Sequence, residues 1–140
     1  MEQIERLLIL GVSSFVTYFL GGWSILLTAL IILNALDYAT GLTANWRKRS
    51  SYKAFRGGVK KGIMWMWVGV SNLIYLILIE LGYDAGEILP NFVTLYFIIL
   101  ELISLEENSK KLGLDMPTPL SFFIDKLKEI FNSRTGGNMK

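Results

Sequence analysis

The chain has 140 residues, 52% of them hydrophobic, with a mean hydropathy of +0.43 and four Trp, a composition far more apolar than a soluble domain of this length tolerates. Fourteen Lys and Arg against twelve Asp and Glu leave a net charge of only +2. With no Cys and no His there is no thiolate nucleophile, disulfide, imidazole base or His/Cys metal cluster, so the sequence predicts a non-enzyme with no catalytic residue, no cofactor and no metal site.

The charges are segregated. Only Asp37 falls between Leu7 and Trp46, none falls between Gly62 and Ile79, and none between Ile88 and Leu100. Such blocks predict an all-α, polytopic membrane protein. The first apolar stretch, Ile4 to Ala44, would be about 60 Å long as one straight helix, twice the roughly 30 Å of a hydrocarbon core. Gly21-Gly22 followed by Trp23 reads as a helix stop, a turn and an interfacial anchor, which divides the stretch into Ile4 to Leu20 and Trp23 to Ala44. The first of these either spans or, given Ser13, Ser14, Thr17 and Tyr18, lies in the membrane plane. The remaining segments are Val59 to Leu81 and about Ile88 to Glu107. The bundle therefore has four membrane segments, or three if the first lies in-plane.

Arg47, Lys48, Arg49, Lys53, Arg56, Lys60 and Lys61 share one connection without an acid, while Glu80, Asp84 and Glu87 share the next without a base. The basic connection is therefore expected in the cytoplasm, and the C-terminus with it. Within that connection, Gly57-Gly58 before Lys60-Lys61 lacks the spacing of a phosphate-binding loop and reads as a flexible turn. Trp46, Tyr52 and Phe55 interleave with the cations, but membrane topology and anionic lipid account for the cluster, so no nucleic-acid partner is expected.

Residues 1–110 read as a membrane domain and 111–140 as a cytoplasmic tail. In the tail, Thr118 as N-cap and Pro119 at the first helical position predict a short helix over about 119–131. Phe123, Ile124, Leu127, Ile130 and Phe131 form its apolar face, and the helix is expected on the inner membrane surface or against the basic connection. Asn132 to Lys140 is expected to be disordered.

Several polar residues stand where lipid makes them expensive. Asn34, Asp37 and Thr40 form a stripe on the second segment, with Asp37 roughly 10 Å from its cytoplasmic end. Arg47, Arg56 and Lys60 are its candidate counter-charges. The stripe lines either a hole, a subunit contact, or a cap that ties the helix to the basic connection. Gly69, Ser71 and Asn72 in the third segment suit close helix approach and self-association. Glu101 and Ser104 lie at a depth similar to that of Asp37, within reach of Lys60 and Lys61.

Gly21-Gly22-Trp23, then Asp37-Tyr38-Ala39-Thr40-Gly41, the Ser/Gly/Lys-rich stretch Ser50 to Gly62, Glu101-Leu102-Ile103-Ser104-Leu105-Glu106-Glu107-Asn108, and Gly113 with Pro117 follow one another in a distinctive order. Over Gly21 to Leu120 the chain resembles the toxin-secretion/phage-lysis holin family of Gram-positive phages. The resemblance implies a phage protein of the host cytoplasmic membrane that forms homo-oligomers and opens lesions through which an endolysin escapes. In toxin loci, relatives are proposed to export toxins. The next Met after Met1 is Met64, so any antiholin is expected to be a separate chain. Two other classes fit the composition: a small ion channel or transporter subunit, and a membrane adapter that recruits a cytoplasmic partner.

Overall fold

The computed structural model describes residues 1–46, 50–84 and 86–135. Among these residues the chain is all-helical: α1 Glu2–Phe19, α2 Ile25–Ala44, α3 Ser51–Glu80, α4 Ile88–Lys111 and α5 Thr118–Thr135. The division at the glycine pair has a local cause. Gly21 sits at φ +81°, where its N–H donates to the Tyr18 carbonyl while the Gly22 N–H donates to Thr17, satisfying two carbonyls that the end of α1 leaves open. The same pattern closes α3 at Gly82 and α4 at Gly113. Ser24 then caps α2 by accepting from the Leu27 N–H at 3.2 Å.

Two expectations need correcting. The basic connection is not a loop throughout, because α3 begins at Ser51 and carries Lys53, Arg56, Lys60 and Lys61 as helical residues. Gly57-Gly58 is accordingly a stretch of helix, not a turn. Each Gly costs about 1 kcal/mol of helix propensity, a penalty offset where Tyr52 to Arg56 and Val59 to Ile63 continue one hydrogen-bonded helix on either side. The second correction concerns the tail. The last helix extends from Thr118 to Thr135, so Asn132 to Thr135 are helical. Its first turn is closed by the Ser121 N–H donating to the Pro117 carbonyl, one residue before the expected cap. Residues 136–140 lie outside the described residues.

Among the described residues three helices are long and apolar enough to cross a membrane: Ile25–Ala44, Ala54–Glu80 and Ile88–Lys111. The first helix is apolar along most of its length but carries Glu2, Glu5 and Arg6 in its opening turns and is not among the three. α4 is the centre of the bundle. α2 packs along it, α3 packs on it less extensively, and α2 and α3 barely meet. Leu27, Leu30, Met64, Val68 and Ile98 make the core where the three converge. Outward-facing Ile32, Trp67, Ile77 and Phe92 remain more than half exposed. So broad an apolar exterior is the surface of a protein whose solvent is hydrocarbon.

No residue of α1 is buried. It meets α3 at one end, where the Phe19 ring occupies the notch left by Gly69; a Cβ there would stand 1.9 Å from the nearest ring carbon. Beside it the Asn72 amide donates to the carbonyls of Tyr18 at 3.1 Å and Phe19 at 3.2 Å.

Candidate functional site: a buried ion cluster between three helices

The last two turns of α2 bring Asp37 and Gly41 onto the side that faces α4. On α4, Glu101, Ser104 and Asn108 recur at i, i+3 and i+7 and so share one face. Because α3 is already helical from Ser51, Gly57, Lys61, Met64 and Val68 fall on a common stripe, which turns Lys61 inward toward both acids. The Lys61 ammonium donates to Asp37 Oδ2 at 2.9 Å and to Glu101 Oε2. The side chains of Lys61, Asp37 and Glu101 are 19%, 14% and 11% exposed, so water screens them weakly.

The other oxygen of Asp37 is also held. Asn108 Nδ2 donates to Oδ1 at 2.9 Å, and Gly41 makes room for it, since a Cβ there would stand 3.4 Å from the Asn108 nitrogen. Two carboxylates drawn from water in this way cost several kcal/mol each unless paired and hydrogen-bonded. One ammonium and one amide meet most of that demand. The arrangement locks three helices together, and among the described residues no group of three or more His, Cys, Asp or Glu is placed to hold a metal.

Beside the cluster a cleft of about 510 Å³ opens between α2 and α3 with α4 as its floor. Its deep end is Asp37, Lys61, Glu101 and Asn108; Lys60, Asn45 and Ser50 stand along it, and Leu42, Met64, Phe97 and Leu100 give it apolar walls.

A second ionic contact lies on the other face of α4. Glu106, 2% exposed, accepts from Lys110 Nζ at 2.7 Å and from Lys128 Nζ of α5 at 2.9 Å. Ile124, 1% exposed, is the apolar anchor of that helix. Phe122, Phe123 and Ile130 stay exposed, so α5 buries only part of its apolar content. On its outer side, the hydrogen bond from Lys126 holds the Glu129 carboxyl below its ordinary range.

The residues expected to act together separate in the structure. Asp37, Glu101 and Lys61 meet directly, and Ser104 lines the same cleft. Asn34 is buried one turn deeper, where its amide donates to the Leu30 carbonyl at 2.8 Å and its Oδ1 has no partner among the described residues. Thr40 points away from Lys61 and bonds the Leu36 and Asp37 carbonyls of its own helix. Gly69 and Asn72 belong to the joint with α1, far along α3 from the ion cluster. Lys60 and Arg56 are exposed. Arg47, Lys48, Arg49 and the Lys53 side chain lie outside the described residues.

Two participants carried no expected role in the sequence. Asn108 was part of the Glu-Asn block, and its spacing of two helical turns from Glu101 was the signal that it shares Glu101's face. The Glu106–Lys128 bond links residues 22 apart across a proline turn, and periodicity has no term for it.

A small helical membrane protein with a hydrogen-bonded ion cluster at one end of its spans is the class that fold and site define. The bacteriophage holin family matches residues 14–129, and the chain belongs to that family. The match extends past both ends of the Gly21 to Leu120 resemblance. In the fold the two motif blocks meet, since Asn108 of one donates to Asp37 of the other beside Gly41. Similar proteins include an uncharacterized protein of Halalkalibacterium halodurans, 29% identical over 91% of this chain and 96% of the relative. An uncharacterized protein of Listeria monocytogenes is 29% identical over 97% of this chain and 92% of its own length. An uncharacterized 14.9 kDa protein from the nagH 3' region of Clostridium perfringens is 29% identical over 96% and 100%. No solved structure matches the chain.

Proposed function

We propose that the protein is a phage holin, which accumulates in the host cytoplasmic membrane, assembles with copies of itself and opens lesions that release an endolysin for host lysis. The observation that carries this reading is the holin-family match across residues 14–129. Its orientation follows from charge: the connection between α2 and α3 and the tail with α5 face the cytoplasm, and the Glu80, Asp84, Glu87 turn faces outward. No enzymatic step enters the mechanism. An antiholin, where one acts, is a separate chain.

Lipid-embedded helices gain little from hydrophobic association and cohere through packing and a few polar contacts. Assembly of such subunits is weak and depends on concentration. In the single subunit, Lys61, Asp37, Glu101 and Asn108 satisfy one another, which keeps the cost of holding charge near lipid low. Among the described residues Asn34 retains an unused buried acceptor, and the cleft beside the cluster places polar groups next to apolar walls. Rearrangement that exposes Asn34 to a neighbouring copy, and wetting of the α2–α3 face, convert a dense array into a lesion.

The test is induced expression beside a cytoplasmic endolysin. Abrupt lysis with release of the enzyme is expected. Slow depolarisation without release identifies a channel instead, and neither effect identifies an adapter. At equal protein level, Asp37→Asn and Asn72→Leu are expected to shift the time of lysis. Unchanged timing for both removes these residues from the mechanism.

A further inference from the structure

The cleft between α2 and α3 is a built site. Each of these helices packs on α4 while they barely meet one another, so an open groove faces outward along the span. Its walls are Met64, Phe97 and Leu100, and apolar surface of this kind in a bilayer is filled by hydrocarbon. Its acids are already taken, Asp37 by Lys61 and Asn108 and Glu101 by Lys61. Lys60 lines the cleft and Arg56 precedes it by one helical turn; both are exposed, and among the described residues neither is paired. Lys61 offsets one of the two acids, and Lys60 with Arg56 outweighs the other, so the cleft and its rim together are net positive and the positive charge stands at the rim.

Depth agrees with charge. Lys60 stands seven residues from Trp67, the midpoint of the Ala54–Glu80 span, or about 10 Å along the helix axis. A Lys stem extends toward the interface and brings the ammonium near the headgroup level, about 15 Å from the bilayer centre. We infer that this cleft binds one anionic phospholipid, its phosphate at Lys60 and Arg56 and an acyl chain along Met64, Phe97 and Leu100. The bound lipid fills the gap between α2 and α3 in the isolated subunit. This goes beyond the lysis reading and depends only on the chain being in a membrane.

The full chain in vesicles of equal phosphatidylglycerol and phosphatidylcholine, each tested with a photoactivatable acyl chain, decides the matter. Phosphatidylglycerol is expected to label Met64, Phe97 and Leu100 in preference to phosphatidylcholine, by about fivefold for each cation engaged. Lys60→Gln, at an exposed position that leaves the fold alone, is expected to remove about fivefold of that preference. Gly57→Leu adds bulk where no neighbouring atom stands within 4 Å. It is expected to abolish labelling of these three residues while leaving Trp67 on the lipid face labelled as before. Equal labelling by the two lipids, or a preference unchanged in Lys60→Gln, overturns the inference. So does a cross-link from these positions to a second copy in place of lipid. Lysis timing is read separately, so failure here leaves the holin reading standing.

Discussion

Lys61 holds two acids that come from different helices, and its removal leaves both without their cation. Lys61→Met is expected to destabilise the bundle by about 3 kcal/mol, the lower end of the cost of orphaning a buried charge. Unfolding of the purified chain in detergent would measure it, and an unaltered midpoint would show that the cluster contributes little. Asn34 makes the opposite case. A buried acceptor without a partner costs about 1–3 kcal/mol, so Asn34→Leu is expected to raise stability in the same assay by about 1 kcal/mol. If it also delays lysis, the polar group is kept for assembly. At Gly69, any side chain collides with the Phe19 ring. Gly69→Leu is therefore expected to detach α1 from α3, exposing the Gly21-Gly22 joint to faster proteolysis, and Phe19→Ala is expected to restore part of the protection. A cleavage rate equal to that of the parent would contradict this account of the joint.

The elements differ in how far the sequence discloses them. The division between α1 and α2 was legible because a glycine pair interrupts one long apolar run, and Gly21 and Gly22 do close α1; the end of α4 was not, because it runs past the apolar stretch through Glu106 to Lys111 before Gly113 closes it. The start of α3 was not legible. Gly57-Gly58 carries a turn signal locally, and only the continuous helix from Ser51 overrides it. The counter-charge itself was legible only as a pair: depth placed both acids within reach of Lys60 and Lys61, and the structure selects Lys61, which shares a face with Met64 and Val68, while Lys60 is exposed. Long-range contacts were out of reach for another reason. Nothing in local spacing pairs Glu106 with Lys128, which lie on different helices. Lys128→Glu is expected to release α5 from α4, seen as faster proteolytic cleavage around Pro117 to Pro119, and adding Glu106→Lys is expected to restore part of the protection. Equal cleavage in all forms would mean that Ile124 alone docks the helix.

At the scale of the whole molecule, the account rests on the spans being threaded through lipid with the cation-rich end of α3 inside the cell. A bundle centred on α4 with so few buried residues has no comparable home in water. The chain has no Cys, so single cysteines report topology cleanly. Tyr52→Cys, at an exposed position near the start of α3, and Tyr83→Cys, at an exposed position after its end, bracket the span. With an impermeant maleimide on intact, unlysed cells, Tyr83→Cys is predicted to label and Tyr52→Cys to label only after the membrane is broken; ready labelling of Tyr52→Cys in intact cells would contradict the account.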